Sequence, residues 1–256
     1  MSGLALALVG YGKMGRVLEN AAVERGHRVV ARIDPAAPQA TARAVEPAAL
    51  AGAEVALEFT APAAAAANVL ALLAAGVPVV SGTTGWTDRL DEARRLAADR
   101  GVGLLWAPNF SLGMHVLLQL VERAAATLGG GGYAPYLVEE HHQQKADAPS
   151  GTARRIGELL VALTPGKSRF GPAPGDGPVP PELVPAAWVR AGQIPGTHRV
   201  GWDGPGETLE IVHRVRDRAV FAHGALLAAE WLRGRRGPHT LEEMLAELEH
   251  GERRNP

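Results

Sequence analysis

Short apolar runs alternate with segments of helical periodicity through the first half of the chain. The apolar runs predict strands at Leu4–Val9, His27–Ile33, Val55–Phe59, Val77–Ser81 and Gly103–Ala107. The segments between them predict helices from Met14 to Gly26, at Pro62–Ala75 and at Asp88–Arg100. Because parallel strands need such crossover helices, this region is predicted to be an α/β, Rossmann-type, doubly wound parallel sheet.

The alternation ends after Phe110, and the rest of the chain has a different pattern. Helices are predicted at Met114–Leu128, Thr152–Leu163, Phe221–Arg233 and Thr240–Leu248. Strands are predicted at Tyr136–Glu140, Trp188–Gln193, Thr197–Trp202 and Thr208–Val215, with a flexible turn at Gly129–Gly132 and a Pro- and Gly-rich extended loop at Thr164–Pro185. This pattern predicts a second region of α+β type, with a sheet of several strands and helices on it.

Charge and composition exclude several classes of protein. The 256 residues suffice for one large or two smaller domains, and a net charge of −1 gives no basis for binding nucleic acid or a membrane surface. The absence of cysteine excludes disulfides and Cys-based metal sites and fits a reducing cytoplasm. The first residues lack the basic n-region of a signal peptide, so none is expected. The uncharged stretch Phe59–Thr87 is interrupted by Pro62, Gly76 and Pro78, so a buried strand–helix–strand is predicted and not a membrane span.

A glycine-rich loop follows the first predicted strand. The run Gly10-Tyr11-Gly12-Lys13-Met14-Gly15 fits the pattern G-x-G-x-x-G, and Asp34 ends the next predicted strand. Glycines allow the backbone to approach a pyrophosphate at the helix N-terminus, and an acid after the second strand accepts hydrogen bonds from ribose hydroxyls. The motif is not a P-loop, because the G-K-[ST] ending is missing. The order of strand, loop, helix, strand and acid favours a dinucleotide site over a structural turn.

Asp34 also bears on the choice of dinucleotide. Its carboxylate repels a 2′-phosphate, and Pro35 after it has no side-chain donor. Arg32 and Arg43 are cations within reach of such a phosphate along the chain. We therefore expect NADH as the preferred cofactor, with NADPH as the alternative.

The ends of later strands predict further cofactor contacts. Thr60, the loop Gly82-Thr83-Thr84-Gly85 and the segment Pro108-Asn109-Phe110 each follow a predicted strand. Ligands of open parallel sheets bind at these carboxyl ends. An ordinary turn is the alternative for Gly82–Gly85, but its place in the series favours a contact on the nicotinamide side.

Ionisable side chains are concentrated in the stretch Glu139–Ala153. The imidazoles of His141 and His142 suit proton transfer at neutral pH, and the Lys145 ammonium can donate a proton or hold a carboxylate. The turn Pro-Ser-Gly-Thr that ends at Thr152 opens a helix whose first N–H groups suit an anion. Together these features are typical of an active site for a small carboxylate.

Each of these residues also has a simpler interpretation. Neighbouring histidines are more often structural than catalytic, a lysine is usually solvated, and Asp147-Ala148-Pro149 is a common turn. A His-His-Asp metal site is a further alternative, but a helix-start turn favours an organic anion, and we expect no metal. Glu139, if buried nearby, would stabilise a protonated imidazole. A pocket that supplies protons and stabilises charge suits hydride transfer to an imine.

The same stretch carries a family resemblance. The signature of bacterial 4-hydroxy-tetrahydrodipicolinate reductases, enzymes of lysine and diaminopimelate biosynthesis, is similar to the pattern Glu139-x-His141-x-x-x-Lys145-x-Asp147-x-Pro149-Ser150-Gly151-Thr152-Ala153. The resemblance covers the whole chain and includes Gly82–Gly85, Ala107–Ser111, Arg190–Gly192 and Phe221–Ala225. It implies NAD(P)H-dependent reduction of 4-hydroxy-tetrahydrodipicolinate to tetrahydrodipicolinate.

The resemblance also implies roles for individual residues. His141 matches the proton donor and acceptor of the family, and Lys145 matches a second group that donates a proton or binds and polarises the substrate. The positions that hold the carboxylates of the substrate match His142, Gly151 and Thr152. The cofactor positions match Gly10, Tyr11, Gly12, Lys13, Met14, Gly15, Asp34, Gly82, Thr83, Thr84, Ala107, Pro108, Asn109 and Phe110.

The architecture implied by the resemblance has two domains. A Rossmann domain, 1–110 with 221–256, is expected to bind the dinucleotide. A central α+β domain with a mixed sheet, 111–220, is expected to bind the dicarboxylate substrate and to build a cytoplasmic homotetramer. Two departures stand out: the glycine loop is one residue shorter than the commoner G-x-x-G-x-M-G, and Pro35 stands where some members carry an arginine for the 2′-phosphate.

Two other functions are open to a chain of this pattern. One is another Rossmann-type dehydrogenase, acting on amino acids or polyols, against which the Pro149–Ala153 turn and the paired histidines argue. The other is a non-catalytic nucleotide sensor, which would be expected to lose His141 or Lys145.

Overall fold

A computed structural model of the protein describes residues 3–50 and 52–249. The strands are β1 Ala5–Val9, β2 Arg28–Ile33, β3 Val55–Glu58, β4 Val79–Ser81, β5 Leu104–Trp106, β6 Ala134–His141, β7 Arg169–Gly171, β8 Leu183–Arg190, β9 Thr197–Gly204, β10 Glu207–Arg214 and β11 Pro238–His239. The helices are α1 Lys13–Glu24, α2 Pro62–Ala74, α3 Leu90–Arg100, α4 Leu112–Leu128, α5 Gly151–Leu163, α6 Ala219–Leu232 and α7 Leu241–Glu249, with 3₁₀ turns at Pro47–Leu50 and Thr87–Arg89.

The chain divides into two compact units. The first unit runs to Ser111 and resumes at Arg218, and the second spans Leu112–Asp217. Within the described residues no helix is long and apolar enough to cross a membrane. The uncharged stretch Phe59–Thr87 instead holds α2 and β4, as predicted.

The first unit is built on a parallel sheet of six strands. Their order is β11-β5-β4-β3-β1-β2, and every adjacent pair is parallel. All residues of β1, β3 and β4 are buried, as expected for strands with helices on both faces. From β1 the chain adds β2 on one side of the sheet and then β3, β4 and β5 on the other. Such folds bind their ligands at the point where the strand order reverses, here between β1 and β3. The predicted fold class is confirmed.

The C-terminal helix α6 completes this unit. It packs against α1 and against β3, β4 and β5. A Cβ on Gly224 would lie 1.8 Å from the carbonyl oxygen of Phe110, so only glycine fits there. The Glu230 carboxylate on α6 accepts hydrogen bonds from Arg25 and, at 2.8 Å, from Nε2 of His27, whose Nδ1 accepts from the N–H of Leu4 at 3.0 Å. These contacts join α6 to the start of β1.

The second unit is built on a mixed sheet of five strands in the order β10-β9-β6-β8-β7. The pairs β10–β9 and β9–β6 are antiparallel, whereas β6–β8 and β8–β7 are parallel. Helices α4 and α5 pack on this sheet around a buried apolar core that includes Leu137, Ile156, Leu160, Val200 and Trp202. The predicted mixed sheet is confirmed.

The prediction of one extended loop over Thr164–Pro185 is wrong in part. Residues Arg169–Gly171 form β7, and β8 begins at Leu183, inside the predicted loop. A Cβ on Gly157 would lie 2.4 Å from the ring of Phe170, so β7 packs closely on α5. The reason for the error is that such a short edge strand has no detectable period and depends on partners distant in sequence. The two-residue strand β11 was missed for the same reason.

Candidate active site

Two positions in the glycine loop of the first unit have no room for a side chain, and one of them also has a backbone conformation that favours glycine. Gly10 follows β1 with φ of +91°, and a Cβ there would lie 2.2 Å from the carbonyl oxygen of Phe59. A Cβ on Gly15 would lie 2.3 Å from the carbonyl oxygen of Gly10. Gly12, by contrast, is exposed, has open space around it and is the N-cap of α1 without a side-chain cap. The first turn of α1 therefore fits a pyrophosphate.

Asp34 lies beside this loop with its carboxylate fixed by backbone donors. Its Oδ2 accepts a hydrogen bond from the N–H of Tyr11, and its Oδ1 accepts from the N–H groups of Ala36 and Ala37, each at 2.8 Å. Burial raises the pKa of Asp34, but these three donors and the Arg43 charge outweigh it and hold the pKa below its usual value. The group is therefore an ionised acceptor suited to ribose hydroxyls.

The two arginines near Asp34 are engaged within the protein. Arg32 forms a bidentate pair with Glu19 of α1, with Nε at 3.1 Å, and the Tyr11 hydroxyl donates to the same carboxylate. This bond to Glu19 raises the pKa of Tyr11. Nη1 of Arg43 donates to the carbonyl oxygen of Ala37 at 3.0 Å. The Arg32 guanidinium is therefore paired with a carboxylate, whereas Arg43 is exposed and donates to the protein through Nη1.

The loop after β4 packs closely against residues at the end of β3. A Cβ on Gly82 would lie 2.1 Å from the ring of Phe59. Thr83 is buried, with its hydroxyl bonded to Glu58 and its carbonyl oxygen bonded to two indoles, whereas Thr84 is exposed. Of the predicted cofactor residues in this loop, Thr84 is thus the one with an accessible side chain.

The segment after β5 contains both buried and exposed residues. Ala107 and Phe110 are 2% exposed, and the Phe110 ring packs at 5.9 Å from that of Phe59. Pro108 is exposed, and Asn109 is half-buried with Oδ1 accepting from the N–H of Ser111 at 2.8 Å. The sheet therefore brings the predicted cofactor segments to the carboxyl ends of β1, β2, β3, β4 and β5. Within them, several predicted contact residues support the backbone instead of facing solvent.

In the second unit, Glu139 organises the end of β6. Its carboxylate has no exposed surface and accepts from the N–H and hydroxyl of Ser150 and, at 2.5 Å, from Nη2 of Arg190. Nε2 of His198 lies 3.7 Å from the same carboxylate. Burial raises the pKa of Glu139, but the hydrogen bonds outweigh it and leave the pKa far below its usual value. Glu139 is therefore a buried, negatively charged group at the end of β6.

His141 is the last residue of β6 and lies one residue beyond the predicted end of this strand. Its Nδ1 lies 3.8 Å from Oε2 of Glu139, and its ring meets that of His198 edge-on at 5.4 Å. Burial lowers the pKa of His141 to about 4, and the charge of Glu139 opposes this shift only in part. A Cβ on Gly196 would lie 3.1 Å from Nε2, so glycine keeps that nitrogen uncovered.

The remaining predicted residues follow within the same loop and the start of α5. Nζ of Lys145 pairs with Asp147 at 2.7 Å, and its charge contributes to lowering the pKa of His141.

Ser150 is the N-cap of α5, with Oγ accepting from the N–H of Ala153 at 3.1 Å. Gly151 is exposed and Thr152 half-buried in the first turn. Nδ1 of His142 is buried, and no described residue bonds to it. Imidazoles, an ammonium and free helix N–H groups are thus adjacent.

Two family models match the chain with this arrangement of elements. The model described as dihydrodipicolinate reductase, N-terminus, matches residues 4–110, and the model described as dihydrodipicolinate reductase, C-terminus, matches residues 113–245. The chain belongs to the dihydrodipicolinate reductase family.

Relatives of this reductase family align over nearly the full chain. A 4-hydroxy-tetrahydrodipicolinate reductase of Christiangramia forsetii is 32% identical over 244 residues, which are 95% of this chain and 98% of the relative. One from Laribacter hongkongensis is 36% identical over 267 positions, covering 96% and 99%. The dipicolinate-bound dihydrodipicolinate reductase of Paenisporosarcina sp. TG-14 shares the fold, with TM-score 0.77 and 22% identity over 93% of this chain and 97% of that one. The predicted family and enzyme class, an NAD(P)H-dependent oxidoreductase, are confirmed.

Several residues that build the candidate site had little or no role in the sequence predictions. Glu139 was considered only as a stabiliser of an imidazole, and Ser150 and Arg190 only as parts of the family pattern. Glu58 and His198 were not singled out. The available signal was indirect: a charged residue inside an apolar strand must be satisfied by donors when the strand is buried, and the identity of those donors depends on the fold.

We expect the stability of the reductase to fall as pH decreases from 6.5 to about 4, because His141 is protonated in the unfolded chain but neutral in the folded one over that range. A folded pKa below the unfolded value means that this stability is complete above pH 6.5 and lost on acidification. His141→Gln should remove on the order of 2 kcal/mol of this loss in urea unfolding followed from pH 7 to 4. The exposed His223→Gln should keep the wild-type slope, and an unchanged slope in His141→Gln would contradict the burial argument.

Proposed function

We propose that the protein reduces 4-hydroxy-tetrahydrodipicolinate to tetrahydrodipicolinate in lysine and diaminopimelate biosynthesis. The main support is the β6–α5 segment, where His141, Lys145 and the open first turn of α5 stand together over the buried charge of Glu139. This arrangement suits a substrate with carboxylates and a reaction that needs a proton. The names of the relatives agree with this assignment.

The first unit would hold the dinucleotide through groups that fit it. The uncapped first turn of α1 suits the pyrophosphate, and Asp34 suits a ribose. Reduced nicotinamide supplies the hydride when it is bound. Thr84, Pro108 and Asn109 are the predicted side chains on the nicotinamide side that remain accessible or half-buried.

The second unit would bind the substrate and provide the proton. The first N–H groups of α5, at Gly151 and Thr152, and the side chains of His142 and Lys145 would hold its carboxylates. Hydride would add to the ring carbon from which water has been lost, and Lys145 or His141 would supply the proton that the substrate takes up. Because the pKa of His141 is about 4 without substrate, its imidazole gains a proton near neutral pH only when a nearby carboxylate raises that pKa.

Unit 1 would therefore serve as the dinucleotide domain and unit 2 as the substrate and assembly domain of a cytoplasmic homotetramer. The edge strand β10 supports assembly, because most of its residues are exposed and its Leu209 and Val212 are 43% and 42% exposed. Light scattering would test the tetramer, and a monomeric mass at micromolar concentration would contradict it.

NADH is the favoured cofactor. Arg32 is paired with Glu19, Pro35 carries no donor, and the ionised Asp34 repels a 2′-phosphate. This support is electrostatic and leaves NADPH as a slower alternative substrate.

The function is tested by following the oxidation of NADH and of NADPH with substrate generated in situ from aspartate semialdehyde and pyruvate. We expect oxidation that depends on both precursors, with NADH as the better donor. Absence of oxidation with either dinucleotide would overturn the proposed reaction.

The proton-donor assignment is tested by Lys145→Ala and His141→Gln in the same assay. Each is expected to lower kcat by about 10²-fold or more, because a positioned general acid contributes about 10²–10⁴. Lys167→Met is the control, since Lys167 lies in the same unit and donates to the carbonyl oxygens of Pro181 and Leu183. Near-normal turnover in both variants would remove the assigned roles.

The cofactor preference is tested by Glu19→Gln, which removes the charge that pairs with Arg32. The freed guanidinium could meet a 2′-phosphate, so the ratio of kcat/KM for NADPH to that for NADH should rise about tenfold. Glu24→Gln is the matched control, because Glu24 is exposed on the same helix. A ratio that does not change in Glu19→Gln would show that this pair has no part in selectivity.

A further inference from the structure

Glu58 is a buried carboxylate that no part of the proposed reaction uses. It is the last residue of β3, at the carboxyl end of the sheet, and it has no exposed surface. Burying a charged carboxylate is costly unless several donors satisfy it. Its donors therefore indicate what the residue does.

The donors to Glu58 come from the ends of two neighbouring strands. Oε2 accepts from the Ser81 hydroxyl at 2.6 Å. Oε1 accepts from the Thr83 hydroxyl at 2.9 Å, from the N–H of Thr60 at 3.2 Å and from the Thr60 hydroxyl. All three hydroxyl groups donate to Glu58, so their hydrogens point towards its carboxylate. Glu58 therefore ties the residues after β3 to the loop after β4.

Thr83 is fixed at a second point by two tryptophans. Its carbonyl oxygen accepts from the indole N–H of Trp86 and from that of Trp106, each at 2.8 Å. The Thr83 hydroxyl also accepts from the N–H of Thr60 at 2.8 Å, in addition to donating to Glu58. The hydroxyl and the carbonyl oxygen of Thr83 are thus both bonded within the protein, and its buried side chain is not available to a ligand.

We propose that Glu58 is a positioning residue for the nicotinamide half of the cofactor. It acts through Thr83, whose anchoring holds the exposed Thr84 and the adjoining backbone of the loop in place. This role rests on the proposed binding of a nicotinamide dinucleotide by the first unit. In this role the side chain of Thr83, a predicted cofactor-binding residue, supports the loop. Glu58 is then expected to affect the binding of the nicotinamide half only.

The test compares the binding of NADH with that of ADP-ribose, which lacks the nicotinamide ring. In Glu58→Gln we expect the Kd for NADH to rise about tenfold, a change of about 1.4 kcal/mol, while the Kd for ADP-ribose stays within twofold of wild type. The amide puts an N–H donor where the carboxylate accepted, so the charge-assisted bonds to the loop are weakened. Thr83→Val, which removes the hydroxyl with little change of shape, should show the same split.

Glu54→Gln is the matched control. Glu54 precedes the same strand at its opposite end, where its carboxylate accepts from the N–H of Ala5 at 2.8 Å and pairs with Arg233 at 2.8 Å. It should leave both dissociation constants unchanged. Near-ultraviolet circular dichroism of the unliganded variants adds a measurement without cofactor, and Glu58→Gln should alter the tryptophan bands while Glu54→Gln does not.

The outcomes separate this role from the proposed function. A wild type that binds ADP-ribose but neither NADH nor NADPH would overturn the proposed function. A wild type that binds NADH, with variants at Glu58 and Thr83 that bind it equally well, would overturn the positioning role alone. Equal weakening of NADH and ADP-ribose in both variants would also overturn it, because it would indicate a general structural role.

Discussion

The candidate substrate site depends on one buried charge, the carboxylate of Glu139. A carboxylate without exposed surface is stable only among donors, and here these are Ser150 and Arg190. Nε2 of His198, on β9, lies 3.7 Å from the same carboxylate. Satisfying it draws the start of α5 and the end of β8 to the end of β6. His141 is held beside the same charge. One electrostatic requirement therefore sets the positions of groups from four elements.

The first unit solves a similar problem with Glu58 at the end of β3. Both acids stand at the carboxyl end of a strand, have no exposed surface and bind the hydroxyl and N–H groups of an adjoining loop. The loops of a parallel sheet are otherwise its least constrained parts. A buried acceptor beneath such a loop fixes the loop without occupying its outer surface. This leaves exposed or half-buried residues such as Thr84 and Thr152 available to ligands.

Local patterns predicted most of the elements, and tertiary contacts account for the errors. Buried parallel strands are continuous apolar runs, so β1 and β3 were recognised within one residue of their ends. The edge strand β7 lies in a segment rich in proline and glycine, and it exists because Phe170 packs on Gly157. The same limit applies to Thr83 and Phe110, which were predicted as cofactor contacts and are buried. Their place after a strand follows from the pattern of the chain, but their burial depends on neighbours distant in sequence.

By itself, the sequence determined the Rossmann-type sheet, the family and the position of the segment that carries His141 and Lys145, because periodicity and motif spacing are local properties of the chain. Only the tertiary structure decided which polar groups face ligands and which support them. That distinction depends on partners such as Glu58 with Thr83 and Glu139 with Arg190. The partners lie on different elements, and their hydrogen bonds form only after the sheets bring those elements together.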